Sequence, residues 1–290
     1  MRAAPLGGAV LVLAACTLVV PIDDDLTGGA RDAGPTSQLP DAADSGKAPA
    51  DGGDGAVGAV VREGCPGPPD DPDLVAWYPL DETEGTVAHD CSSSRIDLHP
   101  LTAAAPEWDV KAKIGGGANF DGVETCFTAD DGRAFRFDKG EPFTIAAWVF
   151  VRDFYQADKT GRWIASHKAS PYGWHFGSDD PDRIEIDFEF VEGVTQKKTQ
   201  VSGVAKGFTW LHVLSTYVGG DAGTYIDGVL TERKTNATVP STFVTDTKSF
   251  FHIGCRSAKS NVFNGKIDDL RIYSRVLSDT EIAALAARGR

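Results

Sequence analysis

Glu185-Ile186-Asp187-Phe188-Glu189 places three carboxylates at every second residue of a segment whose other members are Ile184, Ile186, Phe188 and Phe190. Successive side chains of an extended chain point to opposite faces, so the acids share one face and the apolar residues the other. Such a row supports two kinds of chemistry: an anionic surface that binds a ligand, or a pair of carboxyl groups, one of them protonated, that cleaves a glycosidic bond. The retaining form of that cleavage needs its carboxyl groups about 5–5.5 Å apart. Residues four apart on a strand begin ~13 Å apart at ~3.3 Å per residue, so Glu185 and Glu189 would have to lean together. The acid would also need burial or a carboxylate neighbour to raise its pKa. The alternation predicts a half-buried strand whose acidic face is solvated, and on such a face the acids stay ionised. Just upstream, Trp174 and His175 offer rings that could stack on a sugar. The 6 histidines show no Ser-His-Asp or metal-ligand spacing.

Around this row lie the strand-like runs that must position it. Leu74-Val75-Ala76-Trp77-Tyr78 is the first, and Phe143 to Val151 is apolar on both faces, as befits a central strand between two layers. Trp210 to Val218 follows, then Thr224-Tyr225-Ile226-Asp227-Gly228, which ends in an Asp-Gly hairpin signal. Many short strands broken by Gly and Asp, with almost no helical period, predict an all-β, two-sheet antiparallel sandwich over residues 73–290. One helix is expected at the end. Ser278 and Glu281 form a capping box, Leu277 and Ile282 a hydrophobic staple, and Gly289 a terminator.

Residues 1–72 read differently. Leu6 to Ala15 is too short to span a bilayer, which takes about 20 apolar residues, but it suits a signal peptide. It ends in Leu13-Ala14-Ala15-Cys16, which resembles the lipobox of bacterial lipoproteins. By that resemblance residues 1–16 are a signal with Cys16 lipidated, and Thr17 in place of Asp favours the outer membrane. From Ile22 to Pro72 there are ten Asp and one Glu against three basic residues, and no aromatic. Such a segment cannot bury enough apolar area to offset its ordering entropy, so 17–72 is expected to be a disordered spacer. The net charge of −14 argues against nucleic acid as a partner. Without Cys16 four cysteines remain, Cys65, Cys91, Cys126 and Cys255. They suggest two disulfides, with three pairings open.

Four stretches together resemble the LamG-like jelly rolls of the concanavalin A-like group. Ala76-Trp77-Tyr78-Pro79-Leu80-Asp81-Glu82 is followed by Asp90-Cys91-Ser92, where the family has Asp-Ser-Ser-Gly-Asn. Gly117-Ala118-Asn119-Phe120-Asp121-Gly122 is similar to its ALxFDG. Trp210-Leu211-His212-Val213, leading to Tyr225-Ile226-Asp227-Gly228, resembles its middle piece. Phe263 to Ser278 matches its closing FxGxIDDVRIYxRxLS. The resemblance implies a jelly-roll sandwich and the pairing Cys91–Cys126, which leaves Cys65–Cys255. It also implies a structural Ca²⁺ near Asp121 or Asp268, although Asp121 and Asp90 equally suit turn capping.

The acidic strand itself resembles the catalytic strand of family-16 glycoside hydrolases. That likeness would make Glu185 the nucleophile, Asp187 the modulator and Glu189 the acid/base. The expected function is nonetheless a non-catalytic, monomeric, lipid-tethered binding module for carbohydrate or a protein partner. Its ligand would meet Trp174, His175, Glu185, Asp187 and Glu189. The family-16 hydrolase is the alternative.

Overall fold

The computed structural model describes residues 62–66, 71–137, 140–155, 160–169, 172–192, 195–235 and 250–289. Cys16 and the acidic spacer up to residue 61 lie outside the described residues. The strands are β1 (Leu74–Tyr78), β2 (His99–Pro100), β3 (Glu107–Ile114), β4 (Gly116–Asp121), β5 (Phe127–Thr128), β6 (Phe143–Val151), β7 (Arg162–Ala169) and β8 (Tyr172–Ser178). There follow β9 (Arg183–Glu192), β10 (Thr195–Val204), β11 (Trp210–Val218), β12 (Asp221–Ile226), β13 (Val229–Lys234), β14 (Phe251–Ile253) and β15 (Asn264–Tyr273), then helix α1 (Asp279–Ala287).

Two antiparallel sheets form the expected sandwich. One runs β13-β12-β11-β6-β15-β4-β3, with β1 also on β15, and the other runs β10-β9-β8-β7-β14-β5-β2. Strand β6 explains its own composition. Phe143, Ile145, Ala147, Val149 and Val151 enter the core between the sheets, while Ala146 faces outward into a second cluster with Leu277 and Ile282. The C-terminal helix therefore covers part of the outer face of the first sheet, around Ala146, and both staple residues take part. Its capping box forms between Ser278 and Glu281, and Gly289 follows it at φ 73°. Asp227 and Gly228 turn the β12–β13 hairpin at φ 52° and 81°, the double positive φ that this pair supplies best.

The two ends of the domain lock together. Trp77 Nε1 donates to Asp269 Oδ1 at 2.7 Å, and the Arg271 guanidinium lies 4.3 Å from the Trp77 ring centroid. Asp90 caps the loop after β1, accepting from the Trp77, Ser92 and Ile96 amides.

The disulfides correct the expected pairing, since Cys65 joins Cys91 and Cys126 joins Cys255. The register of β5 on β14 sets Phe127 opposite Ile253, which carries Cys126 to Cys255. Arg62 bonds the Asp90 carbonyl and the Asp97 carboxylate, holding Cys65 beside Cys91. Arg62 and Cys65 are thus tied to the sandwich, ahead of the expected boundary at residue 73. Disulfides of this kind belong to a chain that matures in an oxidising compartment, so the protein is an exported or surface protein.

Candidate functional site

The acidic strand is β9, and its neighbours are set by register. Ser166 of β7, His175 of β8, Asp187 of β9 and Gln200 of β10 stand opposite one another in one row. Trp163, Gly177, Glu185 and Ser202 form the next. A Cβ on Gly177 would stand 2.3 Å from the Arg162 carbonyl oxygen and 2.6 Å from Trp163 Cα. Glycine is therefore required for β7 to come this close, which lays the Trp163 indole over the His175 ring.

Three members of the cluster beside that indole are buried. Glu185 and Asp187 are 0 % exposed and His175 is 1 % exposed. His175 Nε2 lies 3.1 Å from Asp187 Oδ2 and 3.4 Å from Asp179 Oδ2. Burial opposes charge on the ring, but the carboxylates of Asp179 and Asp187 outweigh it and hold His175 above the ordinary histidine range. The Gln200 side-chain amide donates to Glu185. The other face of the strand behaves as the alternation predicts, with Ile184 and Ile186 in the core.

Two expectations change here. The acidic face is buried, not solvated, because Trp163, His175 and Gln200 close over it. Trp174 does not share a face with His175. It is a core residue packed against Phe143 and Phe251, its Nε1 donating to the Phe135 carbonyl at 3.0 Å, so it cannot stack on a ligand. Asp121 and Asp268, the two positions read as possible calcium ligands, stand apart. Asp121 sits opposite Asn264, and Asp268 four residues further along β15, ~13 Å away at ~3.3 Å per residue.

Each of those two acids accepts from backbone amides. Asp121 Oδ1 accepts from the Val123, Glu124 and Thr125 amides and the Thr125 hydroxyl. Burial alone would raise its pKa, but these donors lower it. Asp268 accepts from the Lys113 and Ile114 amides. Burial, those bonds notwithstanding, pushes its carboxyl up to about 8, with Asp269 and Asp81 adding to the effect. The side chain of Glu189 lies outside the described part of the structure, and its backbone pairs with Gly173 and Lys198.

Sequence reasoning missed Trp163, Gln200 and Asp179. Asp179 follows β8 within Ser178-Asp179-Asp180-Pro181, which reads as mere turn punctuation. It also missed an aromatic ledge on the outer face of the first sheet. Trp210, Phe150, Lys266, Asn119 and Glu107 stand opposite one another across β11, β6, β15, β4 and β3. Phe208 leans on this row, 74 % exposed, with its centroid 6.4 Å from that of Phe150.

The fold has known counterparts. Domain 4 of a GH43 extracellular arabinanase from Geobacillus stearothermophilus, solved with arabinotriose, is 18% identical with a TM-score of 0.56, covering 74% of this chain and 98% of that one. The binding domain of Paraclostridial Mosquitocidal Protein 1 is 17% identical with a TM-score of 0.53, and the match covers 74% of this chain and 52% of that one. The receptor binding domain of botulinum neurotoxin C/D mosaic serotype is 12% identical with a TM-score of 0.56, and again 74% and 51% are covered. The chain thus spans about half the length of the two toxin domains. No curated protein matches it. A laminin-G family model fits residues 121–283, from the Asp121 turn to the C-terminal helix. With more than half of its length so matched, the chain belongs to the concanavalin A-like lectin/glucanases superfamily.

Proposed function

We propose that this domain is a non-catalytic carbohydrate-binding module, carried at the bacterial surface on a lipid attached to Cys16. The aromatic ledge carries the reading. Trp210, Phe150 and Phe208 offer ring faces and edges of the kind that pack on the apolar faces of sugars, and Lys266, Asn119 and Glu107 continue the row with groups that hydrogen-bond hydroxyls. The arabinotriose complex of the GH43 domain, a protein of the same fold, supports a sugar over other ligands.

Against the hydrolase alternative stands the burial of the motif. A nucleophile must touch the anomeric carbon, and Glu185 is 0 % exposed. The lipobox-like Leu13-Ala14-Ala15-Cys16 and the acidic spacer support a tether that holds the domain away from the membrane.

A glycan array on the full chain tests this, together with calorimetry on the glycans it retains. Phe208→Ala and Trp210→Ala should each weaken binding about tenfold or more, equivalent to ~1.4 kcal/mol or more. An array with no glycan retained, or retention indifferent to both substitutions, would sink it. Laminarin, lichenan, agarose and xyloglucan should release no sugar, and release that vanishes in Glu185→Gln would establish the hydrolase instead. Mass spectrometry of the mature N-terminus should find a lipid-modified Cys16.

A further inference from the structure

We propose that His175, Asp179, Glu185 and Asp187 form a binding site for one divalent transition-metal ion. One donor atom from each of the four lies within 4.8 Å of all the others. The spacing admits a metal as readily as a proton. Donors ~2.1 Å from a central ion stand ~3.0 Å apart along an octahedral edge and ~3.4 Å apart along a tetrahedral one. The separations of His175 Nε2 from Asp187 Oδ2 and Asp179 Oδ2 are 3.1 and 3.4 Å. Yet neither ring nitrogen of His175 has a hydrogen-bond partner, although the side chain is 1 % exposed. The carboxylate oxygens are close to Nε2 but lie outside the direction in which an N–H would donate. An ion between them needs no such direction.

The donor set argues for the class of metal. Three carboxylates beside one imidazole offer a dication anionic oxygen donors and one nitrogen donor. An imidazole among them favours Zn²⁺ or Mn²⁺ over Ca²⁺, which takes oxygen ligands. The site is also built to exclude other ligands. Trp163 covers the imidazole with ring centroids 3.9 Å apart, and Asp179, at 35 % side-chain exposure, is the member left at the rim as an entry. On this view the E-x-D-x-E strand lends two of its carboxylates to a metal. The inference is independent of which ligand the aromatic ledge takes.

The test uses the untagged full chain, stripped with chelator and then titrated with Zn²⁺, Mn²⁺ or Ca²⁺. No reductant is added, so that Cys126 and Cys255 remain joined and cannot chelate beside His252. Elemental analysis should find one Zn²⁺ per chain after dialysis, and saturating Zn²⁺ should raise the unfolding temperature. Asp179→Asn, at the rim, keeps the fold and should weaken Zn²⁺ binding at least tenfold. His175→Gln should abolish both retention and the thermal shift. Three results would each overturn the assignment: no metal retained by the folded wild type, Zn²⁺ retained equally by both variants, or Ca²⁺ bound in preference to Zn²⁺. If His175→Gln fails to fold, Asp179→Asn alone decides.

Discussion

Trp163 lies flat on His175, the ring centroids 3.9 Å apart and the planes 4° from parallel. Arg256 approaches the indole at 5.6 Å from its centroid, so imidazole, indole and guanidinium gather over the interior strands β7 and β8 of the second sheet. The stack exists because of a bulge. Pairing of β7 with β8 shifts between Trp163 and Ala165, and Gly177 gives the shifted backbone room.

Gly177→Ala should therefore cost about 1–3 kcal/mol, the usual range for overpacking. The added methyl meets the β7 backbone at Arg162 and Trp163 and cannot be relieved by a rotamer change. Trp163→Ala should cost about 3–5 kcal/mol, and Trp163→Phe less because a ring still covers His175. Urea unfolding of the three variants checks the order, and a Gly177→Ala protein as stable as wild type would show that β7 and β8 are not this close.

The disulfides differ in the length of chain they close, 26 residues for Cys65–Cys91 and 129 for Cys126–Cys255. On the chain-entropy account these correspond to about 3.5 and about 5 kcal/mol. The double replacement Cys126→Ala/Cys255→Ala should thus destabilise the domain more than Cys65→Ala/Cys91→Ala. Peptide mapping without reductant should recover Cys65 with Cys91, and any Cys91–Cys126 peptide would contradict the topology.

The pairing was out of reach of sequence because it depends on which segments the fold brings side by side, β5 beside β14 in one sheet and the chain around Cys65 beside Cys91. Cys91 and Cys126 are close along the chain, but they serve different sheets. Signals contained within one segment fared better. The β6 segment declared itself a central strand by being apolar on both faces, and the capping box at Ser278 and Glu281 is a local signal that needs no tertiary knowledge. The acidic row was legible as a row. Its burial was not, since burial comes from Trp163 on β7, Asp179 after β8 and Gln200 on β10, whose spacing says nothing until register joins them. Trp174 misled for the reason that makes strands readable. Alternation puts it opposite its neighbour His175, so only one of the two could face the acids.

Acid and base stability should be limited by different buried groups. Asp268 has a folded pKa raised to about 8. Its contribution is complete below the unfolded value near 4 and is lost as pH climbs through 8. His167 and His252 are pushed down to about 4 by burial. Their contribution is present above ~6.5 and is lost as pH falls through 4. Asp268→Asn keeps an oxygen for the Lys113 and Ile114 amides and carries no charge. It should flatten the alkaline limb and stabilise the protein at pH 9 by about 1–2 kcal/mol, leaving the acid limb intact. An alkaline limb as steep in the variant as in wild type would assign the loss to another group.

Phe208 stands at φ 59°, a left-handed conformation that costs a non-glycine residue roughly 1–2 kcal/mol. Its backbone amide bonds the Val151 carbonyl at 2.8 Å, which fixes that geometry and turns the ring outward beside Phe150. A bulky side chain there gains little from burial at 74 % exposure, so the strain has no offsetting packing. Strain of this kind is kept where a function uses it. Phe208→Asn, which tolerates the left-handed region, should then raise stability by up to ~1 kcal/mol while weakening glycan binding as much as Phe208→Ala does. The two effects have opposite signs, and a denaturation curve and a binding isotherm on the same preparation separate them. If Phe208→Asn were less stable than wild type, the ring would be a structural element; if binding were unchanged, the ledge would not be the site that holds the sugar.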